Sequence, residues 1–302
     1  LKRILKSQYK SAVKLAGIRG SILDRKGRPL ALSVDRPSYF VDPRIFNPSP
    51  AEVVKLGGFL NLKSAKITKV AARKNHFAWL SRKVLNVDEE RVSALRVRGL
   101  NKVYEPARHY PMGEYAAAVI GYVGIDNHGL GGLERMFDSE LSGPSQIIRA
   151  TKDARGRLIL DKKAGLFKSG PGLSIILTLD QVIQDITESA LEHWVINAKS
   201  KGGFALVLDP HSGDILAAAN YPRFNPNAPL RSLAGTRNQA ISDTFEPGSV
   251  IKPFVAASAL ELGLISMTQQ FDCNKGVGSA GGVRFRDSHA PPTPTMSVVD
   301  TV

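Results

Sequence analysis

The 302-residue chain is 43% hydrophobic, enough to bury one large or two medium globular cores, which excludes disorder as its default state. Its 41 Lys+Arg against 27 Asp+Glu leave a formal charge of +14, a bias toward anionic partners: nucleic acid, an anionic membrane surface or an acidic polymer. The lone Cys273 excludes an internal disulfide and a cysteine-rich metal site and reads as a small core residue.

The six histidines are scattered, without a His-Glu-x-x-His pair, and no Walker-type glycine pattern occurs, so neither a metal nor a nucleotide cofactor is expected. No apolar run reaches the roughly eighteen residues of a membrane span. The chain lacks an initiator Met and opens on the basic, partly apolar stretch Leu1-Lys-Arg-Ile-Leu-Lys-Ser-Gln-Tyr-Lys10. Such a stretch suits the flank of a membrane anchor or a solvated surface helix, and both readings stand.

From residue 18 to 45, short apolar runs around a Lys26-Gly27 turn predict a hairpin feeding a strand near Tyr39-Phe-Val41. Ser49-Pro-Ala-Glu52 supplies an N-cap, a proline at the first helical position and a glutamate at the third, so a helix starts there. Between Lys63 and Lys102 the basic residues Lys66, Lys69, Arg73, Lys74, Arg82, Lys83, Arg91, Arg96 and Arg98 alternate with apolar positions. They read as solvated faces of short helices rather than a nucleic-acid patch, because no aromatics are interleaved as stacking platforms.

Residues 121–143 hold six glycines around Leu133-Glu-Arg-Met-Phe-Asp-Ser-Glu-Leu141, which predicts a loop, about two helical turns and another turn. A linker with Gly165, Gly170, Pro171 and Gly172 precedes the β-type run Ser174-Ile-Ile-Leu-Thr-Leu179, and the domain boundary is placed between residues 172 and 173. Asp180 then caps a helix whose apolar positions Ile183, Ile186, Ala190, Leu191, Trp194 and Val195 predict one buried stripe. Phe204-Ala-Leu-Val-Leu208 and Ile215-Leu-Ala-Ala-Ala219, joined by Pro-His-Ser-Gly-Asp, form the clearest hairpin. The order strand, helix, hairpin predicts a mixed α+β fold with an antiparallel sheet.

Acyl transfer through serine needs a hydroxyl near a proton acceptor, and a lysine three positions later on a helix lies one turn away. The spacing occurs three times, at Ser7 and Lys10, Ser11 and Lys14, and Ser249 and Lys252. The first two fall in the basic opening stretch and read as surface residues. At the third, Phe245-Glu-Pro-Gly248 makes a turn and Pro253 follows the lysine, so Ser249 sits at or near a helix start. The following Phe254-Val-Ala-Ala-Ser-Ala-Leu-Glu-Leu262 is apolar nearly all round, which predicts a buried helix that would desolvate Lys252 and favour its neutral form. A capping serine beside a structural lysine is the competing reading, and local geometry does not separate the two.

Asp243-Thr-Phe-Glu-Pro-Gly-Ser-Val-Ile-Lys-Pro-Phe254 resembles the nucleophile segment of penicillin-binding proteins. Arg19-Gly-Ser-Ile-Leu-Asp-Arg-Lys-Gly-Arg-Pro-Leu-Ala31, and Arg108-His-Tyr-Pro-Met-Gly113 with Gly121 and Gly132-Leu-Glu134, resemble motifs of the pedestal domain of the class B proteins. Leu177-Thr-Leu-Asp180 with Gln184 resembles the entry to their transpeptidase domain. The resemblance covers nearly the whole chain in the family's order. It implies an elongated, β-rich pedestal of the dimerisation type over 1–172 and the N-terminal part of a transpeptidase domain, an antiparallel sheet with helices, over 173–302.

The implied activity is D,D-transpeptidation of peptidoglycan stem peptides, with Ser249 attacking the D-Ala-D-Ala carbonyl, Lys252 accepting its proton, and β-lactams trapped at the same serine. The family needs no cofactor. It also implies a periplasmic position on the bacterial inner membrane through an N-terminal helix outside this chain. The implied partners are a membrane glycosyltransferase and division proteins, with no nucleic acid. The segment from Gly121-Tyr-Val-Gly-Ile-Asp126 onward resembles the cell-division branch. The family's later triplets depart from this sequence: no Ser-x-Asn occurs, and Lys168-Ser-Gly170 precedes the nucleophile inside the linker. Truncation is the expected reason, with a fragment that does not turn over substrate. A non-catalytic pedestal that docks cell-wall or division proteins is the alternative.

Overall fold

The structure is a computed structural model that describes residues 11–152, 158–160, 170–230, 233 and 235–301. The basic opening stretch and the Gly165 to Lys168 part of the linker lie outside them. The chain divides after Asp243 into two compact units.

The first unit begins with β1 (Ser11–Leu15), β2 (Ile22–Leu23) and β3 (Pro29–Val41). The expected turn joins β2 to β3: the Asp24 N–H donates to Arg28 O, and Gly27 takes a φ of 77°, a left-handed conformation open to glycine at no steric cost. The 13-residue β3 is the spine of a five-stranded sheet. Helix α1 (Pro50–Leu60) follows with its full capping box, Ser49 Oγ accepting from the Glu52 N–H and the Glu52 carboxylate from the Ser49 N–H. Helix α2 (Ser64–Ala71), strand β4 (Ala78–Ser81), helix α3 (Glu89–Ala94) and strand β5 (Leu100–His109) complete this lobe.

β3 pairs antiparallel with β4 over Tyr39–Val41 and with β5 from Leu32 opposite His109 to Val41 opposite Leu100. α1 and α2 bury Leu56, Leu60, Ile67 and Val70 against Tyr39, Val41 and Leu80 of this sheet. Lys66, Lys69, Arg73, Lys74, Arg91, Arg96 and Arg98 are exposed, as expected of solvated faces. Arg82 and Lys83 are not. The Arg82 guanidinium lies 4.8 Å from the Trp79 ring and bonds Glu105, while the Lys83 Nζ donates to Asn127 Oδ1 at 2.6 Å. Burial holds Lys83 down at about 8.

The glycine-rich stretch folds into α4 (Ala117–Ile120), α5 (Gly132–Met136) and α6 (Asp138–Leu141). β6 (Gln146–Lys152) and β7 (Leu158–Leu160) extend β1 into a three-stranded antiparallel sheet. The run after the linker shortens to β8 (Ile175–Ile176), which pairs parallel with β2. Next come α7 (Gln181–Asn197), the hairpin β9 (Gly203–Leu208) and β10 (Ile215–Tyr221), and α8 (Gln239–Ser242).

α7 starts where expected, with Asp180 Oδ1 accepting from the Val182 N–H, but its buried face holds only part of the apolar stripe. Of the stripe, Val195 is buried and Ile183 and Leu191 half-buried, but Ile186 is 64% and Trp194 69% exposed, and the buried face is completed by Gln184 and Glu188. The reason lies in β10, which is paired along one edge by β9. Gln184 closes the other edge, its Oε1 accepting from Ala218 N–H at 2.8 Å and its Nε2 donating to Ala218 O at 3.0 Å. Buried backbone groups need partners, so the helix turns the Gln184 amide, and not Ile186, to the strand.

The second unit holds a 3-10 turn at Gly248–Ile251, helix α9 (Lys252–Glu261), strands β11 (Gln270–Asp272), β12 (Val277–Ala280), β13 (Val283–Arg286) and β14 (Thr295–Ser297), and helix α10 (Val298–Thr301). β11 pairs with β14 and β12 with β13, two separate antiparallel ribbons. The molecule is thus a mixed α/β protein, as the sequence predicts.

Candidate active site

The segment around Ser249 builds its geometry from the turn upward. Gly248 adopts a φ of 56°, which a side chain would strain, and this reversal delivers Ser249 into the 3-10 turn. The Lys252 N–H bonds back to Ser249 O, and Pro253 occupies the first turn of α9, where its missing N–H costs nothing. Ser249 and Lys252 therefore stand one turn apart at a helix start, as their spacing predicts.

The expected burial is not there. Ser249 and Lys252 are both exposed, and no residue of α9 is buried, with Phe254 at 65% and Val255 at 61% exposed. An all-round apolar helix is covered only when neighbours close on every side, and the described part of this unit offers two thin ribbons. The serine hydroxyl and the lysine amine make no hydrogen bond to each other among the described residues. What the segment supplies is a backbone frame that sets a hydroxyl and an amine one turn apart, without buried surroundings.

The first unit gathers its motif residues far more tightly. Arg19 is 2% exposed and Glu134 is fully buried. The Arg19 Nε donates to Glu134 Oε2 and its Nη1 to Asp138 Oδ1, both at 2.6 Å, and Nη1 also reaches Ser142 Oγ and Asn127 O. From the other side the Arg108 Nε donates to Glu134 Oε1 at 2.6 Å and its Nη1 to Gly20 O at 2.7 Å. Burial and the Glu134 charge push the Tyr110 phenol well above its usual range. Three stretches that look unrelated in the sequence thus meet on one carboxylate.

Two further polar joints bind the α7 layer to this lobe. Asp180 takes Lys26 Nζ at 2.8 Å and Arg28 Nη2 at 2.9 Å, which hold its carboxyl well below the usual range. Glu188 Oε1 accepts from the Ala116 N–H and from Gln184 Nε2, each at 2.6 Å, and Arg223 Nη1 lies 3.5 Å from Oε2. Burial pushes Glu188 up by more than Ala116, Gln184 and Arg223 pull it down. Sequence reading passes over Glu188 and Arg223; the one signal was a pair of polar residues, Gln184 and Glu188, four apart along an apolar helix. Among the described residues no His, Cys, Asp and Glu group is arranged to hold a metal ion, and no helix is long and apolar enough to cross a membrane.

Comparison with known proteins converges on one family. The family model for the penicillin-binding protein dimerisation domain matches residues 14–177, and that for the penicillin-binding protein transpeptidase domain matches 203–295. The chain is 36% identical over 274 residues to the Probable peptidoglycan D,D-transpeptidase PbpC of Pseudomonas aeruginosa, covering 90% of this chain and 47% of that protein. It is 34% identical over 268 residues to the Peptidoglycan D,D-transpeptidase FtsI of Escherichia coli K12, covering 82% of this chain and 43% of that one. The chain spans about half the length of these relatives. A solved peptidoglycan synthetase from Bifidobacterium adolescentis shares the fold, with a TM-score of 0.62 at 23% identity over 95% of this chain and 57% of that one.

Proposed function

Because the chain belongs to the class B penicillin-binding proteins, we propose that it is part of a peptidoglycan D,D-transpeptidase, with 1–172 as its pedestal and 173–302 as the beginning of its transpeptidase domain. The observation that carries this reading is the seat of Ser249, held by the Gly248 turn at a helix start inside the stretch that matches the transpeptidase domain.

Ser249 Oγ attacks the carbonyl between the two terminal D-alanines of a stem peptide. Its proton passes to Lys252, the C–N bond breaks, and the terminal D-Ala leaves with a proton on its amine. An amine from a second stem peptide then takes the acyl group and returns Ser249 to its hydroxyl form. A β-lactam acylates the same serine, but its opened ring stays attached. Lys252 can accept the proton only if it is desolvated, so we place the site's remaining cover outside the described residues. We also assign the protein to the periplasmic face of the inner membrane, with a role in septal wall synthesis beside a membrane glycosyltransferase and division proteins.

A second reading, a pedestal that docks cell-wall or division proteins without catalysis, draws on the completeness of the Glu134 network, which owes nothing to Ser249. Labelling with fluorescent penicillin separates the two. In the protein at the length of its relatives, the wild type labels, Ser249→Ala does not, and Lys252→Ala labels far more slowly. A folded wild type that stays unlabelled would overturn the catalytic reading in favour of the scaffold.

A further inference from the structure

The ribbon β12–β13 is the most open strand edge in the second unit. Gly281 and Gly282, both at positive φ, close it, and Ser279 stands opposite Arg284 and Val277 opposite Arg286. β13 is exposed along its whole length and pairs only with β12 among the described residues. A free two-stranded ribbon is marginal in water, and an unpaired strand edge is a template for another strand.

The two faces of β13 differ in chemistry. Arg284 and Arg286, at alternate positions, share one face about 7 Å apart, and neither has a hydrogen bond or ion pair among the described residues. On the other face the Phe285 ring lies over Gly278, where an added Cβ would come within 2.1 Å of it, and Val283 is 66% exposed. The pattern is cation, aromatic, cation along one free edge.

We propose that the free edge of β13 docks an extended acidic segment of a partner protein. That segment adds as a third strand, sets two carboxylates at alternate positions against Arg284 and Arg286, and lays the apolar residue between them beside Phe285. Strand addition gives the affinity through the backbone, and the alternate side chains give the choice of partner. A second copy of this chain is a poor occupant, since antiparallel pairing of β13 with itself brings arginine beside arginine, and like charges across a ladder repel.

The test is fluorescence-polarisation titration of this chain and of the protein at the length of its relatives with labelled peptides centred on Glu-Val-Glu, on Lys-Val-Lys and on Glu-Val-Glu methylated at both glutamate nitrogens. The expected result is saturable binding of the first alone, because methylation of the two glutamate nitrogens, which stand opposite Arg284 and Arg286, removes ladder donors and the lysines reverse the charge. Arg284→Glu with Arg286→Glu should weaken the acidic peptide about tenfold, within what two exposed pairs supply, and should let the Lys-Val-Lys peptide bind. That exchange of preference cannot come from a misfolded variant. No binding of Glu-Val-Glu to the longer protein, equal binding by the N-methylated peptide, or competition by polyphosphate as strong as by the peptide would each overturn the proposal. So would a concentration-dependent dimer that the double variant abolishes.

Discussion

The carboxylate of Glu134 and the hydroxyl of Ser249 stand at opposite ends of a scale of organisation. Glu134 is fully buried, and both of its oxygens are claimed by arginines from distant parts of the chain, Arg19 and Arg108. Ser249 is exposed, positioned by a glycine and a proline within a few residues, and hydrogen-bonded by no side chain among the described residues. The first site is made by tertiary structure and the second by local backbone. A long-range ion network fixes where a lobe folds, whereas under the proposed function the serine stays open to its substrate and receives its cover from other parts.

The sharpest way to break the contrast is to remove Glu134. Replacing it with alanine leaves the Arg19 and Arg108 guanidiniums buried with one partner fewer each, and loss of one member of a buried ion network costs about 3–5 kcal/mol. Urea unfolding of Glu134→Ala should show a midpoint lowered accordingly. Ser249→Ala, which leaves nothing unsatisfied, should stay within about 0.5 kcal/mol of the wild type. Similar losses for the two would mean that the network contributes little to the fold.

What was legible in the sequence divides along the same line. The Ser49 capping box, the Lys26-Gly27 turn, the Asp180 cap and the β9–β10 hairpin each depend on residues within a few positions of one another, and each is found where expected. The failures are failures of context. Periodicity marks an apolar stripe on α7 but cannot register that the free edge of β10 needs Gln184, so Ile186 and Trp194 end up exposed. The all-round apolar sequence of α9 states what the helix requires, and the described residues do not supply it. For the candidate site, spacing and turn chemistry give the helix-start position of Ser249 and Lys252, while the surroundings of the lysine are set by segments that no local pattern encodes.

A smaller effect tests how Glu188 joins the two kinds of organisation. Its burial raises the carboxyl pKa in the fold, so the native state holds the proton more tightly than the unfolded chain. Its stabilising contribution is then fully present below the unfolded value of about 4.3 and is lost as pH rises through the folded value. Arg223, which Glu192 also engages, and the hydrogen bonds from Ala116 and Gln184 limit the rise without cancelling it. Thermal unfolding of Glu188→Gln across about pH 4 to 8 should therefore show a flatter pH dependence than the wild type, with the variant gaining relative to it toward the upper end. Superimposable pH profiles would mean that Glu188 titrates alike in both states.

The smallest change reaches the local site itself. Gly248 sits at a φ of 56° with nothing within 4 Å of where a Cβ would stand, so alanine meets no clash and pays only for the left-handed backbone, about 1–2 kcal/mol. That cost can be met in two ways. If α9 is held firmly, the turn keeps its shape, Gly248→Ala lowers the unfolding midpoint, and penicillin labelling of the longer protein survives. If the turn relaxes instead, stability barely changes and labelling falls, because Ser249 no longer points out of the helix start. An exposed helix with no buried residue gives the backbone little to resist with, so the expected outcome is the second: labelling lost by more than stability. The reverse would show that the Ser249 segment is braced by more than its own few residues.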